Sequence, residues 1–289
     1  MTKVLITGAT GNVGIEVLRS LHGIDHQLDL YAGVRSIDDD RIKLDNYKIK
    51  YSEFDFTDFN TYKTALDGCD FLFLLRPPQI SEVDKYFKPL IDTCKEKGVK
   101  HIVFLSVQGV EKSKIIPHNK IEKLIVDSKI PYTFLRPAYF MQNFTTTLRS
   151  DLVIKKRIYL PAGSAKFTLI DVRDIGAVSA IILTKASQHI NKSYELTCKE
   201  KLTFSEMARI LSRNLGIDIH FKSPNLVILF LTKRKEKTPT MLILVMIMLH
   251  YFPRFQNEPE ITDWIEKISH RLPKTFEQFI NDNKKLLTE

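Results

Sequence analysis

The first fourteen residues constrain this chain more than any other stretch. Val4, Leu5 and Ile6 form an apolar run that reads as a buried strand. Gly8, Gly11 and Gly14 come next at Gly-x-x-Gly-x-x-Gly spacing, and Val13, Val17, Leu18 and Leu21 then recur with a helical period. A strand, a glycine turn and a helix in that order make a phosphate cradle. Gly8 permits the tight turn, Gly11 lets backbone approach an anion closely, and Gly14 lets the helix pack against the strand. With Thr10, Asn12 and Val13 completing the turn, the motif points to a dinucleotide whose pyrophosphate rests on free N–H groups at the helix N-terminus.

Beyond this cradle, strands and helices alternate. Strands are expected at Leu28–Val34, Ile49–Asp55, Phe71–Leu75, Val99–Leu105 and Tyr132–Leu135. The helices between them are Val13–Leu21, Thr61–Leu66, Glu82–Lys97 and Asn119–Ser128. This period implies right-handed crossovers and a doubly wound parallel sheet of Rossmann type, with ligands outside the carboxyl ends of the strands. After about residue 143 the pattern breaks into short strands (Ile158–Leu160, Phe167–Ile170, Tyr194–Leu196, Ile217–Phe221) and helices (Asp171–Thr184 and Thr203–Leu215). Thr203 and Glu206 form a capping box, and Gly216 closes that helix. The expected division is a dinucleotide-binding domain of residues 1–142 and 165–218. A smaller, discontinuous α+β substrate or lid region, 143–164 and 219–289, would roof the cleft.

The strand ends carry the candidate chemistry. Arg35 ends the second strand, where an acid is usual for NAD; an arginine there favours the 2′-phosphate of NADP, unless it is a solvated surface residue. Asp38, Asp39 and Asp40 are expected to face solvent. Asp55 either accepts from an adenine amino group, with Phe56 against the ring, or opens a turn, and Asp58 is the better helix cap. Leu75 and Arg76 end the fourth strand ahead of Pro77 and Pro78, which places Arg76 near a ribose or pyrophosphate oxygen or leaves it on a stiff surface loop. Ser106 and Val107 end the fifth, where a nicotinamide belongs; Ser106 either positions a ligand or is satisfied by backbone. His118 and Glu122 stand at i and i+4 on one helix face, a pairing suited to proton delivery near neutrality or to a structural role. Pro137 ends the sixth strand. Tyr139, Phe140 and Asn143 beyond it could line a flat apolar substrate pocket or simply pack in a core. Met241, Met246 and Met248 offer an adaptable pocket wall or more core.

Bulk properties exclude several classes. The net charge is +9, but lysine spread along the chain supplies most of it; with no arginine-rich arm or finger motif, specific nucleic-acid binding is not expected. Cys69, Cys94 and Cys198 are too few and too far apart for a disulfide framework or a metal site, which fits a reducing cytoplasm. With a core strand at the N-terminus, no signal peptide is expected ahead of the fold. The most apolar stretch, Leu226–Phe252, is interrupted by charges at 233–237; its unbroken run Met241–Leu249 is about half the ~20 residues a spanning helix needs, so it reads as a buried or groove-lining helix, not a membrane segment.

Taken together, several segments resemble the NmrA-like branch of the atypical short-chain dehydrogenases/reductases. They are Gly8-x-x-Gly11-x-x-Gly14, Arg35, Leu75-Arg76-Pro77-Pro78, and Pro117-His118-x-x-Ile121-Glu122-x-x-Ile125 running on to Ile130-Pro131-Tyr132-Thr133-x-Leu135-Arg136-Pro137. Arg271–Phe279 is similar to the usual ending of that branch. The branch includes type 2 NAD(P)H:quinone oxidoreductases, triphenylmethane reductases and NAD(P)-binding regulators without turnover. The resemblance implies NADP(H) as the preferred cofactor, with NAD(H) open as a second. It further implies either reduction of a quinone or similar planar apolar acceptor, or redox sensing through a protein partner, in a monomer or homodimer. None of the ten tyrosines has a lysine four residues later, so the Tyr-x-x-x-Lys of ordinary short-chain dehydrogenases is missing. The resemblance puts His118 where that lysine would stand, as a candidate catalytic proton donor or nicotinamide-ribose contact.

Overall fold

The computed structural model describes residues 1–114 and 116–289. The chain opens with β1 (Thr2–Thr7), α1 (Asn12–His22), β2 (Leu28–Val34), α2 (Ile37–Leu44), β3 (Lys50–Glu53) and α3 (Asn60–Ala65). It continues through β4 (Phe71–Leu75), α4 (Val83–Glu96), β5 (His101–Leu105), α5 (Pro117–Ser128) and β6 (Tyr132–Pro137). Next come β7 (Tyr139–Phe140), α6 (Arg149–Lys155), β8 (Arg157–Tyr159) and β9 (Lys166–Ile170), then α7 (Val172–Thr184) and β10 (Lys192–Leu196). The last part holds β11 (Lys201–Thr203), α8 (Phe204–Leu215), β12 (His220–Lys222), α9 (Leu226–Lys235), α10 (Thr240–Tyr251), α11 (Trp264–Ser269), α12 (Phe276–Asp282) and α13 (Lys284–Thr288).

Two compact units result: Met1–Ala138 with Val172–Leu196 and Asp263–Leu272, and Tyr139–Asp171 with Thr197–Thr262 and Pro273–Glu289. The first unit is the Rossmann-type α/β fold. Among the described residues, seven strands form one parallel sheet in the order β10-β6-β5-β4-β1-β2-β3. The order reverses between β1 and β4, which is the switch point where such sheets bind ligands. Thr7 fastens that seam: its hydroxyl accepts from the Leu75 N–H at 2.8 Å and donates to the Phe73 carbonyl at 3.2 Å. Leu5, Leu72, Leu74, Ile102, Phe104 and Phe134 bury one sheet face against α4 and α5 through Phe87, Leu90, Ile121 and Ile125. On the opposite face α7 comes so close to α1 that a Cβ on Gly176 would lie 2.4 Å from the Glu16 carbonyl oxygen.

The second unit holds a three-stranded sheet β11-β9-β7 and the parallel pair β12-β8. Its core joins Phe144, Phe204, Met207, Leu211, Phe276 and Phe279.

The units divide the chain elsewhere than expected. Residues 139–142 leave the first unit because Tyr139 and Phe140 pair with Leu169 and Ile170 of β9, in another sheet. Segments 165–171 and 197–218 go with them, since β9, β11 and α8 build the second core. Residues 263–272 return to the first unit, where Trp264 packs edge-on against Tyr194 at 4.9 Å. Helix α2 is an addition to the expected elements. Leu44 is its sole buried residue, so it has no apolar stripe to read; Ser36 caps it and Asp38, Asp39 and Asp40 occupy its first turn, where acids suit the helix dipole. Helix α10 corrects the buried reading of the methionine run: it buries Ile243, Met246 and His250 but leaves Met241 69% and Met248 43% exposed.

Candidate functional site

Strand ends in the first unit bring most of the sequence candidates to one edge of the sheet. Gly8 takes φ +61°, which only glycine adopts without strain, and a Cβ there would press on Leu75 at 3.0 Å. A Cβ on Gly14 would lie 2.2 Å from the Gly8 carbonyl oxygen, so helix and turn touch backbone to backbone. Gly11 differs: its hypothetical Cβ meets the Gly8 oxygen alone, at 3.2 Å, and the residue is exposed. Gly11 is also the N-cap of α1, and no side chain caps that terminus. The first N–H groups of an eleven-residue helix are thus left for another acceptor, in a turn whose backbone is bare.

Arg35 comes directly after β2. It is exposed, and no hydrogen bond or ion pair engages its guanidinium among the described residues. Asp38 and Asp39 are exposed as expected, and Asp40 pairs with Lys43 at 3.0 Å.

At the third strand end, Asp55 Oδ1 accepts from both the N–H and the hydroxyl of Thr57, each at 2.7 Å, which is the turn-opening role. Asp58 Oδ1 accepts from the Asn60 N–H at the start of α3. Phe56 corrects the expectation of a ring against adenine: it is 6% exposed and packs on Phe54 and Phe87, because its position after β3 turns it into the core.

Arg76 bends back over its own loop. Its Nη1 donates to the carbonyls of Pro77, Pro78 and Ile80, and its Nε donates to His118 Nε2 at 3.3 Å. An arginine cannot accept, so the His118 proton sits on Nδ1. Burial, and then the Arg76 charge, push the His118 pKa down to about 3. The expected His118–Glu122 pair does not form. Glu122 instead receives both Nε and Nη2 of Arg136, at 3.1 and 2.7 Å, and this buried fork leaves the imidazole to Arg76. His118 therefore stays neutral near pH 7, and the reading of it as an imidazolium acid is corrected.

Ser106 ends β5 at 2% exposure. Its N–H donates to the Leu135 carbonyl, yet its hydroxyl has no partner among the described residues. Val107 is half-buried beside it, and the Pro137 carbonyl accepts from the Gln108 N–H at 3.0 Å. Glu195 of β10 holds the same loop by accepting from Gln108 Nε2 and the Gly109 N–H.

In the second unit the Tyr139 hydroxyl meets His250 Nε2 at 3.1 Å, and His250 Nδ1 meets the Met246 carbonyl at 2.6 Å. The carbonyl can only accept, so Nδ1 carries the proton and the phenol donates to Nε2. Burial drives the His250 pKa down to about 4 and the Tyr139 phenol upward. Phe167 and Phe204 pack edge-on against Tyr139, Asn143 is a further hydrogen-bond partner of the phenol, and Phe140 is half-buried in the same strand. His250 is absent from the sequence candidates: it lies 111 residues from Tyr139, and no spacing rule connects them.

The NmrA-like family model matches residues 1–280. The chain belongs to the NmrA-like family. It is 30% identical over 220 residues to the Prestalk A differentiation protein A of Dictyostelium discoideum, covering 76% of this chain and 72% of that one. It is 28% identical over 287 residues to an NAD(P)H azoreductase of Xenophilus azovorans, covering 96% of each. An NADPH-dependent quinone oxidoreductase of Escherichia coli, solved in complex with NADPH, shares the fold at a TM-score of 0.86, with 21% identity over 96% of this chain and 99% of that one. That likeness of fold agrees with the Rossmann topology described above. No described helix is long and apolar enough to cross a membrane, and the described residues contain no cluster suited to a metal.

Proposed function

We propose that this chain is an NADPH-dependent oxidoreductase that reduces a quinone or a similar planar acceptor. The observation that carries the cofactor is the pairing, on one sheet edge, of an uncapped α1 N-terminus and an unengaged Arg35. The bare Gly11 turn fits a pyrophosphate, with Thr10, Asn12 and Val13 presenting backbone to it. Arg35 suits a 2′-phosphate, and NAD(H) would bind without that contact. Leu75 and Pro137 would wall the dinucleotide, and Asp55 would offer its second carboxylate oxygen to the adenine. The reductive half of the reading rests on the activities for which the azoreductase and quinone oxidoreductase relatives are named.

NADPH, when bound, supplies a hydride equivalent. The protein's own part is to orient and to exclude water. The neutral His118 would donate Nδ1–H to a ribose or acceptor oxygen, with Arg76 fixing the ring. Ser106 and Val107 would sit against the nicotinamide, where the hydroxyl gains the partner it lacks. Tyr139, Phe140 and Asn143 are proposed acceptor contacts. The Tyr139 phenol, whose hydrogen is given to His250, would meet the acceptor as a neutral ring. With no charged acid in the set, the proton for the product comes from water.

The test is loss of nicotinamide absorbance with a panel of quinones and triarylmethane dyes, beside titrations of NADPH and NADP. Acceptor-dependent oxidation is expected. Tight binding without turnover on any acceptor would replace the reductase by a sensor that acts through a protein partner, and such a sensor must discriminate the two redox forms.

A further inference from the structure

Helices α9 and α10 form a hairpin in the second unit, and it is apolar where it meets water. Leu231 is 63% exposed, Met241 69%, Leu244 48% and Phe255 71%. On α10 the buried residues Ile243, Met246 and His250 repeat at three and four positions and define its inner stripe. Met241, Leu244, Met248 and Phe252 repeat at the same spacing on another stripe, and all are exposed. An exposed surface of this composition marks an interaction site.

The charges of this stretch are mostly positive. From Ile219 to Asn257 the sequence carries six basic side chains and one acid, more than half of the net charge of +9. Arg234, Lys235 and Lys237 stand exposed at the turn between the two helices, and Arg254 lies just past α10. The one acid, Glu236, is already engaged by Lys155, Arg157 and Lys233. A self-complementary dimer through this face would set the same cations against each other. Exposed apolar side chains with the exposed cations Arg234, Lys235 and Lys237 at one end of the hairpin suit a surface that is apolar beneath and anionic above.

We propose that the α9–α10 hairpin docks this protein on the surface of an anionic lipid bilayer. At twelve residues α10 is about 18 Å long, too short to span and long enough to lie in the interfacial plane. Its apolar stripe enters the headgroup boundary while Arg234, Lys235 and Lys237 contact lipid phosphates and carboxylates. The docking does not depend on the cofactor reading.

The experiment is co-sedimentation of the full chain with vesicles of phosphatidylcholine alone or with about a third phosphatidylglycerol. Binding to the anionic vesicles is expected to be at least tenfold tighter and to weaken as salt rises from about 0.1 to about 0.5 M. Arg234→Glu/Lys235→Glu and, separately, Leu244→Glu/Met248→Glu should each weaken it at least tenfold while melting cooperatively. Leu231→Glu, on the other helix, provides a second apolar variant. Protein left in the supernatant with anionic vesicles would overturn the proposal. So would undiminished binding by the folded apolar variants, which would mean adsorption by charge alone. A dimer in sedimentation velocity that the apolar variants dissociate would give the face to a second copy and overturn it as well.

Discussion

Arg76 Nε donates to His118 Nε2 at 3.3 Å, and this contact fixes both the charge and the tautomer of the imidazole. A histidine held by a cation and buried at the same time has no reason to take a second proton. Turnover should therefore show no inflection attributable to His118 between about pH 5 and pH 8. The check is a kcat–pH profile for the wild type and for His118→Asn. An inflection near 6.5 that disappears in the variant would restore the imidazolium role.

The glycines of the first turn should separate structure from binding. Gly14→Ala is expected to lower stability by about 1–3 kcal/mol or more, because its Cβ has backbone within 2.2 Å. Gly11→Ala should melt within about 1 kcal/mol of wild type, since its φ of −85° is ordinary and its nearest neighbour is 3.2 Å away, yet cofactor affinity should fall sharply. Thermal melts paired with NADPH titrations read both.

Arg35→Ala should weaken NADPH roughly ten- to a hundredfold, the scale of a lost charged hydrogen bond, and leave NADH nearly unchanged. Equal losses for the two cofactors would remove the 2′-phosphate contact.

Ser106→Ala removes a buried hydroxyl that has no protein partner among the described residues. Stability should stay level or rise, by up to about 1–2 kcal/mol, while kcat falls. A loss of stability would show that the hydroxyl is satisfied in the folded protein.

Acid should unfold the protein early. Burial holds His101 and His250 at pKa values of about 4 and His118 at about 3. Unfolded histidine titrates near 6.5, so below that pH the unfolded chain takes up more protons than the folded one. The contribution of these three groups is complete above about pH 6.5 and is lost progressively as pH falls through about 4, for His101 and His250, and on toward about 3 for His118. Denaturant midpoints measured from pH 4 to pH 8 should fall along that interval; a flat series would contradict the three neutral imidazoles.

The parallel sheet is legible in the sequence because its strands are apolar runs ended by turn residues, and the Gly8–Gly14 cradle because its geometry depends on local spacing. Arg35 is legible for the same reason: its place is set by one strand. The features that local patterns miss are decided by long-range partners. Glu122 and His118 share a helix face, but two arginines from other strand ends separate them. His250 finds Tyr139 across 111 residues. The unit boundaries near 139 and 263 depend on which sheet Tyr139 joins and on where Trp264 packs, and composition marks neither. Helix α2 has no apolar face and so leaves no periodic trace.

The chain passes between its two units five times, at 138, 171, 196, 262 and 272. During synthesis β6 leaves the ribosome as an unpaired edge, and its neighbour β10 arrives more than fifty residues later. The nascent sheet must stay unaggregated over that interval, beside half-built elements of the other unit. For the same reason no C-terminal truncation removes the apolar hairpin and keeps the first unit intact: a cut before residue 226 also takes α11 and its exit, which belong to that unit. The cradle and the hairpin can be dissected only by internal replacement, with β10 and α11 left in place.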